Sequence, residues 1–183
     1  MAIYVFSLLV GYSPNGVDYA QGERAKIFGK LSVPVRYIFA ELPGRYDIDF
    51  YKKLGVPEED MFSMCHYLLD HPTLRTTVKA KDKLAELTDS LQITDVDYQG
   101  SVIRLMKEGN VVAEMILESE DRENLLCIQY FNEDRLIRTE TYTDQIAHTD
   151  YYMTAVSERG LYAKRTRRAY YHKDGSVAFE QVF

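Results

Sequence analysis

Residues 2–31, AIYVFSLLVGYSPNGVDYAQGERAKIFGKL, decide the fold of the N-terminal half. The run from Ala2 to Val10 is almost continuously apolar, which is typical of a strand covered on both faces. The loop from Gly11 to Gly16 is rich in turn formers. From Val17 to Leu31 the apolar residues recur with the period of one helical face. The stretch therefore predicts a buried strand, a glycine-containing turn and a helix.

A second strand is predicted from Val33 to Leu42. A strand, a helix and a strand within roughly 40 residues form a βαβ unit, which should be parallel and right-handed. Further helices are predicted at 47–56 and 58–70, and a short one at 78–90. Gly22 lies inside the first helix, where it costs up to ~1 kcal/mol relative to alanine. Close approach of this helix to a strand is the expected reason.

The second half changes to the alternating period of β-structure, with turn signals between short runs. The predicted strands are 91–98, 101–107, 111–118, 124–131, 135–143, 150–156, 161–172 and 176–183. Consecutive hairpins of this kind form an antiparallel meander. The expected fold class is α+β, with a partial Rossmann-like βαβ unit at 1–90 and a large antiparallel β-meander at 91–183. A two-stranded parallel sheet would expose an apolar edge, so we expect a fragment or a partner-covered edge.

Composition excludes several classes of function. A formal net charge of −6 and a pI near 5.3 argue against a general nucleic-acid binder, which would be basic. Cys65 and Cys127 stand far apart and lack metal-ligand spacing, so we expect reduced thiols and no metal site. No apolar run approaches the ~20 residues of a membrane span, and the N-terminal run lacks the basic flank of a signal peptide. A soluble, cytoplasmic protein is expected.

The loop from Gly11 to Gly16 is the most informative local feature. A helix N-terminus offers free backbone N–H groups to an anion, and a glycine lets a phosphate approach the backbone. Ser13 or Asn15 could cap the helix. The loop therefore suits a diphosphate, although no GxGxxG or Walker spacing is present. A tight turn that needs glycine for its own geometry is the simpler interpretation of the local pattern.

A basic cluster lies on the seventh predicted strand, followed by Tyr170. Strict alternation places Lys164 and Arg168 on one face of the strand and Arg165 and Arg167 on the other. Such a cluster could bind an acidic acceptor or an acidic surface of a partner. The pattern favours a simpler interpretation, in which charge protects an edge strand from aggregation.

Two other groups of polar residues are weaker candidates for a catalytic site. His148 with Asp144 and Asp150 could suggest acid–base work, but the segment reads as a solvated polar turn. Cys65 and His66 are adjacent on a predicted helix, and adjacent helical residues do not face each other, so they form no nucleophile–base pair.

Two short motifs make the chain similar to a known family. Residues 15–21, NGVDYAQ, with Arg24-Ala25 resemble the loop and helix near the start of the accessory-Sec glycosyltransferases, which modify serine-rich repeat adhesins in Gram-positive bacteria. The chain has Asn15 and Asp18 where the family has Ser and Glu. Residues 171–180, YHKDGSVAFE, resemble the end of the β-meander in the same family. Related meanders occur in wall-teichoic-acid α-glycosyltransferases.

The resemblance implies a GT-B fold of two Rossmann-like lobes, with the meander inserted in the N-terminal lobe. It implies retaining transfer of a sugar, usually GlcNAc from UDP-GlcNAc, to Ser/Thr of the adhesin. Gly16 would lie near the donor diphosphate with Ser13 and Asn15 as polar neighbours, and the meander would handle the acceptor. The family's paired glutamates would lie beyond Phe183. We therefore expect no catalytic residue, cofactor or metal in this chain, and no activity of the chain alone.

Several alternatives remain open. The chain could belong to the family's non-catalytic, chaperone-like subunit, which pairs with the enzyme through the meanders. It could instead be the N-terminal part of a wall-teichoic-acid α-glycosyltransferase. The expected partners are a Ser/Thr-rich adhesin polypeptide and a second glycosyltransferase subunit, and an exposed strand edge also allows a homodimer. As part of a complex, the protein could lie at the membrane periphery.

Overall fold

The computed structural model describes residues 3–7, 16–40, 45–71, 74–119 and 123–183. The chain divides into two compact units, with the boundary in the sequence between Arg75 and Thr76. The described helices are α1 (Gly16–Lys30), α2 (Arg45–Lys53), α3 (Met64–Leu69) and α4 (Ala80–Leu91). The described strands are β1 (Ile3–Ser7), β2 (Val35–Phe39), β3 (Met61–Ser63), β4 (Asp95–Gln99), β5 (Val102–Lys107), β6 (Asn110–Leu117), β7 (Leu125–Asn132), β8 (Arg135–Tyr142), β9 (Ile146–Ser157), β10 (Gly160–Tyr171) and β11 (Val177–Val182).

The first unit is built on a parallel three-stranded sheet in the order β1-β2-β3. Its β1, α1 and β2 have the parallel strand–helix–strand arrangement that the N-terminal pattern predicts. The predicted helix at 58–70 is wrong in its first half, because a 3₁₀ turn at Glu58–Asp60 leads into β3. Residues Met61 to Ser63 pair in parallel with β2. Pairing with an existing strand outweighs the weak helical preference of this short segment.

One face of the parallel sheet is covered by apolar side chains. Val35, Tyr37 and Phe39 of β2 are buried in a cluster with Ile48 and Tyr51 of α2. Phe39 and Tyr51 meet edge to face, with ring centroids 5.1 Å apart. This cluster forms the hydrophobic core of the first unit.

Gly22 explains how closely α1 approaches its neighbour. A Cβ at Gly22 would lie 2.5 Å from Cβ of Leu54, the residue that follows α2. The expected close contact therefore exists, but its partner is the end of a helix and not a strand. Glycine is needed here because any side chain would overlap Leu54.

The opposite face of the parallel sheet is exposed and apolar. A groove of about 480 Å³ runs over it. Its apolar lining comes from all three strands and from α3: Tyr4, Phe6, Ile38, Phe62, Met64, Tyr67 and Leu68. Parallel sheets normally have both faces covered, so this face is unusual for an isolated unit.

The second unit is an eight-stranded antiparallel sheet in which each strand pairs with its neighbours in sequence, from β4 to β11. The predicted meander is confirmed, with strand bounds shifted by a few residues. The predicted short helix at 78–90 is present as α4. It belongs to this second unit, ahead of the boundary at residue 90 that the change of period suggests.

The core of the second unit lies between α4 and one face of the sheet, which we call the helix side. Leu87 of α4 belongs to one cluster with Ile103, Met115 and Ile128 of three neighbouring strands. The opposite face, here the far face, carries polar pairs such as Arg104 with Glu114, whose Nε and Oε1 are 2.7 Å apart. The period of two thus separates an apolar helix side from a polar far face.

Candidate functional site

The predicted donor loop is described only at its last residue. Ser13 and Asn15 lie outside the described residues, and Gly16 is the first residue of α1. No described atom lies within 4 Å of the position that a Cβ of Gly16 would take. Packing among the described residues therefore does not require glycine here. Its role toward a diphosphate stays a prediction.

The faces predicted for the basic cluster are wrong because β10 contains a bulge. Arg165 pairs with Tyr152 and Arg167 with Tyr151, so Thr166 is an extra residue between them. The bulge shifts the alternation by one residue. Arg165 and Arg168 consequently share the far face, while Arg167 shares the helix side with Lys164.

Asp150 pairs with both arginines on the far face. Arg168 donates to both carboxylate oxygens of Asp150, each at 2.7 Å, and Nη1 of Arg165 lies 3.6 Å from Oδ1. The Arg168 and Asp150 side chains are only 11% and 7% exposed. Burial alone would lower the pKa of Arg168, but its hydrogen bonds to Asp150 and Tyr170 raise it. Arg168 and Asp150 thus form an internal ion pair, and the one net positive charge of the cluster is left on the more exposed Arg165.

His148 is also part of this buried cluster, so the predicted solvated turn is wrong. It lies on β9, two residues before Asp150, and packs at 5.7 Å from the Tyr170 ring. Burial, followed by the positive charge of Arg168, lowers the pKa of His148 to about 3, against the smaller opposing effect of Asp150. Its Nδ1 is buried and has no hydrogen-bond partner in the described part of the chain. The imidazole is therefore neutral at pH 7 and packs as a structural group.

The remaining members of the basic cluster differ in their surroundings. Arg167 bonds Glu180 at 3.0 Å and stacks at 4.0 Å over the ring of Tyr151. Tyr170 is buried and stacks on Phe179 at 4.4 Å. Lys164 is exposed. The edge-strand interpretation holds only for the first part of β10, because its last residues pair with β11 as well as β9.

A larger polar site lies on the helix side, between α4 and strands β8 to β10. We call it the cleft, and its volume is about 670 Å³. One wall is the segment from Thr77 to Glu86, and the floor is formed by alternate residues of the strands. The principal polar and aromatic lining residues are Lys79, Asp82, Lys83, Glu86, Arg138, Glu140, Tyr142, Asp144, Thr149, Tyr151 and Tyr171. A cleft of this size is within the range of ligand sites, ~300–1,000 Å³.

Glu140 is the centre of the cleft floor. Its Oε2 accepts hydrogen bonds from the hydroxyls of Tyr130 at 2.9 Å and Tyr142 at 2.8 Å. Nη2 of Arg138 lies 3.4 Å from the other oxygen. Burial, and then the charge of Glu140, raise the pKa of both tyrosines. Both hydroxyls therefore stay protonated and hold the carboxylate in place.

Arg138 carries unused hydrogen-bonding capacity. Its guanidinium stacks at 4.0 Å over the ring of Tyr130 and is 39% exposed. Its Nε is buried and has no acceptor among the residues that the structure describes. An unsatisfied buried donor is costly, and a ligand carbonyl could reach only the exposed part of the guanidinium.

Sequence reasoning missed the cleft because its residues come from distant segments. Glu140 stands inside an otherwise ordinary strand, and the wall residues belong to a helix that carries no motif. A usable signal was the presence of one tyrosine on each of three neighbouring strands: Tyr142 and Tyr171 end β8 and β10, Tyr151 lies opposite Arg138 within β9, and all three line the cleft.

The described residues were also compared with the requirements of a metal site and of a membrane-spanning helix. Within them, no group of three or more His, Cys, Asp or Glu side chains could hold a metal ion. Among the same residues, no helix combines the length and the apolar character needed to cross a bilayer.

The strands of the second unit match a known domain family. Residues 95–183 match the model of the GtfA extended beta-sheet domain. The chain is GtfA-like. Its full length is similar to the UDP-N-acetylglucosamine–peptide N-acetylglucosaminyltransferase GtfA subunits of Streptococcus gordonii, at 25% identity over 184 residues, and of Streptococcus parasanguinis, at 26% over 184 residues. The resemblance to accessory-Sec glycosyltransferases is thereby confirmed.

The GtfA-like chain also shares its fold with solved structures. It superposes on a chain of the GtfA/B complex with a TM-score of 0.77 and 24% identity, over 100% of this chain and 36% of the other. The sequence alignments include 100% of this chain but only 35% of the S. gordonii subunit and 36% of the S. parasanguinis subunit. The chain thus spans about a third of the length of these relatives.

Proposed function

We propose that the chain is the N-terminal, acceptor-handling part of a retaining glycosyltransferase that transfers GlcNAc from UDP-GlcNAc to Ser/Thr of a serine-rich adhesin. The observation that carries the proposal is the match of residues 95–183 to the GtfA sheet domain, with similarity to GtfA subunits along the whole chain. The names of the relatives supply the transfer of GlcNAc from UDP-GlcNAc to a peptide, and the resemblance of the sequence supplies the serine-rich adhesin and the retaining mechanism.

The architecture of the first unit supports a Rossmann-like role. Its β1, α1 and β2 are arranged as in a nucleotide-binding half, with Gly16 at the start of the helix that follows β1. The apolar groove on the opposite face of the sheet is what a partial lobe would show, since a doubly wound sheet has helices on both faces. In the proposal, further elements of a longer protein cover this groove.

Gly16 offers a direct test of the donor loop. In the intact gene product, Gly16→Val should weaken UDP-GlcNAc binding by about tenfold, because a side chain at the helix N-terminus would keep the diphosphate from the backbone. Gly29 is a matched control on the same helix, since a Cβ there also meets no described atom within 4 Å. Calorimetric titration should show that Gly29→Val binds UDP-GlcNAc with the same affinity as the unmodified protein. Equal affinities of the two variants would refute the role of Gly16.

The activity itself is tested by incorporation of labelled GlcNAc into a Ser/Thr-rich polypeptide. The intact gene product with its second subunit should incorporate sugar, and the 183-residue chain alone should not. Intact protein that binds the polypeptide without transferring sugar would favour the non-catalytic, chaperone-like subunit. Transfer or UDP-GlcNAc hydrolysis by the 183-residue chain alone would contradict the proposal that it is catalytically incomplete.

The partners belong to the same proposal. A second glycosyltransferase subunit is the expected partner, and a homodimer through the sheet remains a prediction. The predicted contacts for an acidic partner surface are the exposed Lys164 and its neighbours Arg165, Arg167, Arg168 and Tyr170. Because Asp150 and Glu180 already pair with three of these arginines, Lys164 should contribute most to such a contact.

A further inference from the structure

The length of the cleft suits a chain better than a single small molecule. The wall begins with the extended stretch Thr77–Lys79 and continues along α4 to Glu86. At ~3.3 Å per extended residue and ~1.5 Å per helical residue, this wall is up to about 20 Å long. About six residues of an extended polypeptide would fit along it.

The charges of the cleft select against charged ligands. Its bases are already close to acids: Lys83 bonds Glu86 at 2.6 Å, and Arg138 faces Glu140 at 3.4 Å. Lys79 bonds Glu123 at 2.6 Å in the same way. A phosphorylated or acidic ligand would meet the carboxylates, and a cationic ligand would meet the bases. A neutral polar ligand avoids both penalties.

The cleft offers both donors and acceptors to such a ligand. The guanidinium of Arg138, 39% exposed, offers N–H donors, and the side chains of Tyr151 and Tyr171 share a hydrogen bond at the floor. Glu86, largely exposed on the rim, presents carboxylate oxygens. An extended peptide alternates N–H and C=O groups, and its hydroxyls both donate and accept, so it can use this mixture of partners.

We propose that the cleft binds the acceptor polypeptide as an extended, uncharged, hydroxyl-rich segment, with Arg138 and Glu140 as specificity-determining residues on its floor. The proposal rests on the proposed function, from which it takes the acceptor. It assigns the acceptor to the helix side of the sheet. The basic cluster of β10, whose arginines are paired internally, is left for other contacts.

Binding is tested with the 183-residue chain and fluorescein-labelled peptides of about 12 Ser, Thr and Ala residues, twice the length that the wall accommodates. Fluorescence anisotropy should show saturable binding of the neutral peptide. Peptides with Asp or with Lys at every third position should bind about tenfold more weakly. Equal or tighter binding of either charged peptide would overturn the proposal, as would absence of binding or competition by free N-acetylglucosamine alone.

Two substitutions on α4 locate the binding site. Glu86→Trp places a bulky side chain on the wall and should weaken peptide binding by about tenfold. Asp89→Trp is its matched control, because Asp89 is an exposed acid on the same helix outside the cleft. Circular dichroism should show both variants folded. If both bind like the unmodified chain, or both lose binding equally, the peptide does not lie in the cleft.

Glu140→Gln tests specificity rather than stability. The amide keeps an oxygen for the hydroxyls of Tyr130 and Tyr142 but leaves the charge of Arg138 unbalanced. Preference should therefore shift several-fold toward the Asp-containing peptide, with the affinity ratio of the two peptides as the readout. A purely structural role would lower both affinities together and leave their ratio unchanged, which would remove Glu140 from the proposal.

The same variants separate this proposal from the proposed function. If the intact protein transfers GlcNAc and Glu86→Trp does not slow transfer to the neutral peptide, the cleft assignment fails alone. If the neutral peptide binds in the cleft but no sugar is transferred, the enzyme assignment fails and the cleft remains.

Discussion

The basic cluster of β10 makes a quantitative prediction about stability. Arg168→Met removes the guanidinium that donates two 2.7 Å hydrogen bonds to Asp150. Removing one partner of a buried ion pair costs ~3–5 kcal/mol, because the other charge stays buried. Since Arg165 still lies 3.6 Å from Asp150, we expect the lower end, about 3 kcal/mol.

Unfolding in guanidinium chloride measures this loss. Far-UV circular dichroism should be fitted with two transitions, because the chain has two compact units. With a slope of about 3 kcal/mol per molar denaturant, the transition of the sheet unit should move down by roughly 1 M. Lys164→Met is the matched control on the same strand, and as an exposed substitution it should change stability by less than about 0.5 kcal/mol.

A double variant distinguishes a buried pair from lost packing. Arg168→Met combined with Asp150→Leu removes both buried charges and should recover most of the stability, to within about 1 kcal/mol of the unmodified chain. Small, equal losses for Arg168→Met and Lys164→Met would refute the reasoning. In that case the arginines would be solvated, and the cluster would be free to bind an acidic ligand, the less favoured interpretation of its sequence pattern.

Three further variants test other parts of the fold by thermal or denaturant unfolding. Gly22→Ala should destabilise the first unit by roughly 1–2 kcal/mol, because the new Cβ would lie 2.5 Å from Leu54 Cβ. Without that overlap, the higher helix propensity of alanine would stabilise the unit by up to ~1 kcal/mol. Glu133→Asn with Asp134→Gly should stabilise the β7–β8 hairpin by about 1 kcal/mol, since both residues have positive φ, 48° and 60°. His148→Gln should remove part of the pH dependence of the free energy of unfolding. The folded imidazole, with a pKa of about 3 against an ordinary 6.5, contributes stability above pH 6.5 that is lost as the pH falls toward 3. The stability of the unmodified chain relative to this variant should therefore fall by ~1.4 kcal/mol per pH unit below about pH 6, and a constant difference would contradict a buried neutral imidazole.

Local patterns predicted the elements whose signals are local. The meander is readable because turns such as Glu108-Gly109 separate runs with a period of two, and neighbouring strands in sequence are neighbours in the sheet. Helix α1 was predicted at the right place from the turn before it, but its predicted apolar face is wrong, because Val17, Ile27 and Leu31 are exposed while Gln21, Gly22 and Ala25 are buried. In both cases the deciding interactions join residues close in sequence.

Features that depend on long-range pairing were missed. Strand β3 has three residues, and only its pairing with β2 distinguishes it from the start of a helix. The bulge at Thr166 has no sequence mark, yet it exchanges the faces of the arginines around it. His148 and Asp150 look like turn residues because their burial comes from side chains such as Tyr170, on the next strand. Period and propensity do not encode these contacts.

The bulge at Thr166 also connects the two candidate sites of the sheet. By placing Arg165 and Arg168 on the far face, it brings both to Asp150, and it leaves Arg167 on the helix side over Tyr151, a residue of the cleft floor. Had the strand alternated regularly, one of the far-face arginines would lie on the helix side, near the cleft. A guanidinium without a carboxylate partner there would favour acidic ligands over neutral ones. Deletion of Thr166 would leave Arg165 opposite Tyr152 and Arg167 opposite Tyr151, so it should remove the bulge without exchanging the faces of the arginines, and the preference for neutral peptides should stay unchanged.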